Sequence, residues 1–234
     1  MIDMSTAKSA LHWWRLAGVD TLAEEEPVDW LDMSLGRTQP PGTRMPAPPE
    51  PVRLPESMAE FLPFLAREAA RHGDGTHVAP TGLAGAEIMV LVDMPEVGDD
   101  AAGRLLSGPG GTLFDAMLSA IGRSRDDVFL AAFSSARPAS GQIAGDDLDR
   151  LGRLALHLAR LAGPKRLLLL GDAPSRALLG AGLVEARGQL QGVKHDSGTI
   201  MAMTSFSPSF LLAHPLRKAD AWRDLQLLGR GLSQ

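Results

Sequence analysis

The stretch Glu87-Ile-Met-Val-Leu-Val-Asp93 sets five consecutive apolar residues between two carboxylates. A run this short, rich in β-branched residues, suits a strand buried on both faces. Two more runs of the same kind follow, Val128-Phe-Leu-Ala-Ala-Phe133 and Lys165-Arg-Leu-Leu-Leu-Leu-Gly171, and Ile200-Met-Ala-Met-Thr204 is a fourth candidate. The segments between them carry helical spacing, predicting helices at about 111–122, from Asp146 to Ala162, and near 216–230. Strands alternating with helices predict an α/β fold, a three-layer α/β/α sandwich around a central, mostly parallel four-stranded sheet. Ligands of such sheets bind beyond the carboxyl ends of the strands. Candidate functional residues therefore lie in 92–111, 132–142, 171–176 and 204–212.

Ahead of the sheet region the pattern differs. Ala7, Leu11 and Trp14 recur at helical spacing over 5–17, and Gly18 stands where that helix would stop. Seven prolines between 40 and 55 mark a linker over about 37–55, and Met58, Phe61, Leu62 and Leu65 then share one face of a helix at 56–72. The expected division is 1–80 for the N-terminal helices with their linker, and 81–234 for the sheet domain.

Composition removes several classes of chemistry. The 234 residues include no cysteine, which excludes disulfides, thiolate nucleophiles and cysteine-held zinc or iron–sulfur clusters. No apolar run approaches the ~20 residues of a membrane-spanning helix, and Met1 to Trp14 lacks the pattern of a secretory signal. A cytoplasmic location, no cofactor and no membrane are the expectations. The first hundred residues carry 17 acidic and 7 basic side chains, the remainder 11 and 16. The acidic balance of the whole chain, −5, argues against a general nucleic-acid coat, while the basic half leaves room for one local phosphate face or for ordinary solvated surface. Gly108-Pro-Gly-Gly111 lacks the spacing of a nucleotide-cradling loop, no Gly-x-Ser-x-Gly elbow is present, and the six histidines form no metal-ligand pair.

The segments after the strands, taken together, resemble one family. Val92-Asp-Met-Pro-Glu96, Asp99-Asp100 and Gly103-Arg-Leu-Leu-Ser-Gly-Pro-Gly-Gly111 follow, without a gap, the frame Gly-Glu-Ala-Pro-Gly, acidic residues, Gly-x-Pro-Phe-Val-Gly-x-Ala-Gly. Val128-Phe-Leu-Ala-Ala132 and Ala136-Arg-Pro-Ala-Ser-Gly141 match Val-Tyr-Ile-Thr-Asn and Cys-Arg-Pro-Pro-Gly-Asn. Pro164-Lys165 through Gly171-Asp172 and Ala177-Leu-Leu-Gly180, then Arg187-Gly188, keep the order. Ser205-Phe-Ser-Pro-Ser-Phe-Leu-Leu212 echoes Thr-Phe-His-Pro-Ala-Tyr-Leu-Leu, and the match continues through Pro215–Lys218 and Trp222-Arg-Asp-Leu225. These are the motifs of uracil-DNA glycosylases of the iron–sulfur type, family 4, and the resemblance spans about residues 84–230.

The resemblance implies a flipped base and a broken N-glycosidic bond. It puts the catalytic carboxylate at Asp93 and the leaving-group donor at Ser207, where the family has Glu and His. It lines the base pocket with Met94, Pro95, Leu106 and Ala132, with Leu106 in place of the stacking Phe and Ala132 in place of the base-reading Asn. It sets Ser107, Gly108, Arg137, Arg187, Ser209, Arg217 and Lys218 near the DNA backbone. The cluster cysteines are replaced, as at Ala136. Removing one preorganised oxyanion donor typically costs about 10²–10³ in rate, so ordinary uracil excision is not expected. Two readings stand: a diverged glycosylase with weak, altered or lost excision of a deaminated or damaged base, or a non-catalytic paralogue. The second would bind DNA, or a repair protein through the proline-rich or acidic N-terminal part.

Overall fold

The computed structural model describes residues 53–72, 76–196 and 198–232; the predicted helix at 5–17 and most of the proline-rich linker lie outside them. Helix α1 (Met58–His72) comes first, followed by strand β1 (Ile88–Val92), the single turn α2 (Asp99–Ala102) and helix α3 (Pro109–Ala120). Strand β2 (Val128–Ala132), helix α4 (Leu148–Ala162), strand β3 (Arg166–Leu170), helix α5 (Asp172–Leu179) and the short α6 (Leu183–Ala186) continue the alternation. Strands β4 (Gln191–His195) and β5 (Gly198–Ser205), then helices α7 (Pro208–Ala213) and α8 (Lys218–Gly229), complete it.

The sheet has five strands in the order β2-β1-β3-β5-β4, where the sequence predicts four. All neighbours are parallel except β4, which pairs antiparallel with β5 along one edge. The extra strand, Gln-Gly-Val-Lys-His, buries only Val193. An edge strand half open to water carries no continuous apolar run, which is why the sequence hides it.

Period-two alternation sends the strand residues to two separate apolar layers. Val90, Val92, Leu130, Leu168, Leu170 and Met203 pack on one face with Phe114 and Leu118 of α3 and Leu225 and Leu228 of α8. Met89, Leu91, Phe129, Leu167, Leu169 and Ala202 pack on the other with Leu154 and Leu158 of α4 and Phe61 and Leu65 of α1. The three-layer arrangement follows from this division, and the carboxyl ends of β1, β2, β3 and β5 all point to one rim.

Candidate active site

Two devices hold the first loop of the rim. Asp99, buried, accepts hydrogen bonds from the backbone N–H of Glu96 (2.9 Å), Leu106 (2.9 Å) and Ser107 (2.8 Å) and from the Ser107 hydroxyl (2.6 Å). Burial pushes its pKa up, but the bonds led by the Ser107 hydroxyl outweigh it and hold the carboxyl below the ordinary value. Arg125 meanwhile donates to the carbonyls of Leu105 (3.0 Å) and Leu106 (2.8 Å). Between these clamps Leu106 takes φ +52°, the one non-glycine positive φ among the described residues. A leucine held there costs energy that the clamps offset.

Asp93 follows β1 directly. Its Oδ1 accepts from the N–H of Ala173 (3.0 Å), at the start of α5. Burial raises its pKa to about 6, against the pull of that N–H and with an added push from the Asp172 charge. A carboxyl titrating near neutrality exchanges a proton at working pH, the property of a general acid or base. Across the rim Ser207 caps α7, its Oγ accepting from the N–H of Phe210 (3.3 Å). The hydroxyl keeps its own proton to donate.

The structure brings Asp93, Met94, Leu106, Arg137, Ser207 and Ser209 to one cavity of about 200 Å³. Glu96 lines it too, and its carboxylate accepts a hydrogen bond from the Ser209 hydroxyl. That pairing joins residues far apart in the chain, and only the positions of Glu96 and Ser209 in matching motifs hint at it. Arg137 reaches the Pro95 carbonyl (3.1 Å), so Pro95 serves as an anchor for Arg137 and is itself buried. Ala132 is not among the residues of this cavity; it lines a neighbouring one of about 50 Å³ with Leu65, Phe133 and Leu151. Ala136, buried, lines the same small space. Its methyl offers no metal ligand and the chain holds no cysteine, so an iron–sulfur cluster of the kind the resemblance implies does not fit. Among the described residues no His, Asp and Glu gather as a metal site, and no helix is long and apolar enough to cross a membrane.

The residues expected at the DNA backbone divide. Ser107 is committed to Asp99, and Gly108 caps α3. Arg187 is engaged in the interior: its guanidinium bonds both oxygens of buried Asp224 (3.2 and 3.0 Å), and Ser205 donates to the same carboxylate (2.8 Å). Arg187 also lies over the Phe206 ring, 5.0 Å from its centroid. Its position at a strand-end motif points to DNA, whereas its geometry ties α8 to β5. Arg217 and Lys218 are exposed; Arg217 pairs with Asp220 at 3.3 Å.

The cavity lies at the carboxyl rim of a mostly parallel sheet and holds Asp93, whose pKa burial raises, together with Ser207, the cap of α7. The sequence profile of the uracil DNA glycosylase superfamily matches residues 79–226, more than half of the chain and every strand of the sheet. The chain belongs to the uracil DNA glycosylase superfamily.

Proposed function

We propose that the protein is a diverged DNA N-glycosylase, derived from a family 4-like ancestor, that serves DNA repair in the cytoplasm and excises a deaminated or damaged base other than ordinary uracil. The observation carrying this reading is the shared cavity of Asp93 and Ser207. Asp93 steadies the developing sugar cation or positions water, and Ser207 gives the leaving base a neutral hydrogen bond. Leu106 and Met94 provide an apolar surface without an aromatic ring, and the cavity holds no side-chain amide to read a uracil edge. Arg217, Lys218 and the open part of the Ser209 turn are the candidate phosphate contacts. A base-release assay over a panel of duplexes, each with one deaminated, oxidised or alkylated base, tests it. Release of at least one base that stops in Asp93→Asn is the expected result, and no release from any duplex would refute it.

One observation favours a second reading. Glu96 stands where the matching motif ends in glycine, and its carboxylate engages the Ser209 hydroxyl that would otherwise meet a phosphate. A fixed negative charge there weakens DNA binding at the cavity mouth. In the second reading the protein is a non-catalytic paralogue whose partner is DNA held elsewhere or a repair protein held through residues 37–55 or the acidic N-terminal part.

A further inference from the structure

The walls of the Asp93 cavity carry an unusual charge balance for a site that would release an anionic base. Two carboxylates, Asp93 and Glu96, line the same space of about 200 Å³. Asp172, itself paired with Arg176 at 3.5 Å, adds a further negative charge close enough to push on Asp93. Against them stands Arg137, whose Nη1 donates to the Pro95 carbonyl at the rim. Apart from Ser207 and Ser209 the remaining side chains are apolar, among them Val92, Leu106, Leu170 and the polarisable thioether of Met94. Uracil leaves as an anion, and developing that charge beside two carboxylates is unfavourable. Ser207, already accepting from Phe210, offers a single neutral donor in return.

We infer that the cavity selects a nucleobase that is already cationic, an N-alkylated purine such as N7-methylguanine or N3-methyladenine, and this rests on the N-glycosylase reading above. The chemistry then needs none of the groups the cavity lacks. Water attacks C1′ of the sugar while the C1′–N9 bond breaks. The bonding electron pair stays on N9 and cancels the ring's positive charge, so the base departs neutral. The proton lost by water passes to the Asp93 carboxylate and on to solvent. No donor has to stabilise the leaving group, which removes the penalty for serine in place of histidine. The carboxylates act on the ground state as well as on the sugar cation: Glu96 recognises the charged ring, and Asp93 faces the charge as it moves to the sugar. Apolar walls suffice for a ring held by charge, as no uncharged edge has to be read.

Single-turnover release from three duplexes of one sequence tests this, each carrying N7-methylguanine, uracil or guanine at one position, with the full-length chain in excess. The expected result is release of N7-methylguanine about tenfold or more faster than its spontaneous loss and than release of uracil. Tenfold is a lower bound, since two unit charges in contact interact by more than that through an effective dielectric near 20. Glu96→Gln lowers the ratio of N7-methylguanine to uracil release, and Glu96→Asp restores it, which a merely structural role would not do. If Glu96→Gln does not fold, the comparison of the three duplexes with the wild-type chain decides alone. Uracil or another neutral base released as fast as N7-methylguanine would overturn the selectivity for cations and leave the glycosylase reading standing. No release from these three duplexes, by a chain that melts cooperatively, would overturn the selectivity for cations, and no release across the wider panel of damaged bases as well would overturn the glycosylase reading with it.

Discussion

The carboxyl group of Asp93 occupies the space that a side chain on residue 171 would fill: a Cβ built on Gly171 would overlap its carboxyl atoms. Gly171 adopts φ +136° and ψ 179°, a region open essentially to glycine alone. Strand β3 therefore ends in a residue that lets Asp93 turn toward the start of α5. Gly171→Ala meets both the backbone strain and the overlap. It should lower stability by about 2–4 kcal/mol, read as a fall in Tm, and should displace Asp93 so that any base release falls more than stability alone explains.

Asp93 also sets a pH dependence whose sign is opposite to that of most surface carboxylates. Its pKa rises to about 6 on folding, from an unfolded value near 3.9, chiefly through burial. Between these values the folded chain binds more protons than the unfolded one, so stability falls as pH rises. The contribution is fully present below about pH 4 and is lost above about pH 6. Asp93→Asn, which keeps an acceptor for the Ala173 N–H, should thus stabilise the protein by about 2 kcal/mol at pH 7.5 and leave it nearly unchanged at pH 4. Denaturant titrations at the two pH values measure the difference. Equal effects at both would mean the carboxyl is not strained by its burial. A charge kept at such a cost is the mark of a working group.

Restoring the superfamily-type groups tests the correspondence of residues. Leu106→Phe, Ala132→Asn and Ser207→His together should confer or greatly raise uracil excision, whereas single changes should recover little, because the three groups act on one transition state. Ala132 sits at the end of β2, beside Val92 in register, and lines the neighbouring small cavity, so its asparagine is the change most dependent on the path of the 133–141 loop. Ser207→His also removes the cap of α7, at about 1 kcal/mol. A folded triple variant that binds uracil-containing DNA and releases no base would show that the cavity has a different shape from the one the motifs imply.

Two kinds of basic residue should separate in DNA binding. Removing Arg217 and Lys218, both exposed, should weaken binding with little change in Tm and flatten the salt dependence by about one unit of slope for each phosphate no longer neutralised. Arg187→Ala should behave in the reverse way. It leaves Asp224 buried beside Ser205 without its cation and should cost on the order of 3 kcal/mol, at an unchanged salt slope. Binding assays over a salt series, paired with thermal melts, separate the two.

These contrasts bear on what the chain discloses before it folds. The three buried parallel strands are plain in the sequence because each is apolar throughout, and the structure sets them at 88–92, 128–132 and 166–170. Helix α4 begins at Leu148 after a 3-10 turn over 145–147, and α8 begins at Lys218 after another over 215–217, so the predicted starts run two residues early. The missing strand, β4, exposes Gly192 and Lys194 and has no apolar signature. At the site the motif order identifies Asp93, Leu106 and Ser207 as neighbours. Asp99 falls in the acidic part of the first motif, but its role, accepting three N–H groups of its own loop, depends on the path of that loop and is not legible there. Glu96 is only hinted at by its place in a motif, because its partner, Ser209, becomes a neighbour only when β1 and β5 lie on either side of β3. Arg187 misleads because a cation in a motif looks the same in the sequence whether it faces solvent or a buried aspartate.

Helix α1 gives the chain a problem of timing. Its Phe61 and Leu65 fill the layer beneath the sheet, and His157 of α4 lies against Phe61 at 4.7 Å while bonding the Pro55 carbonyl at 2.7 Å. During synthesis this helix leaves the ribosome before any strand it will cover. At about 5–20 residues per second, its apolar face waits about 5–20 s for α4 to be made. Through that interval Phe61, Leu62 and Leu65 have no finished layer to cover, and transiently exposed apolar surface of this kind favours aggregation.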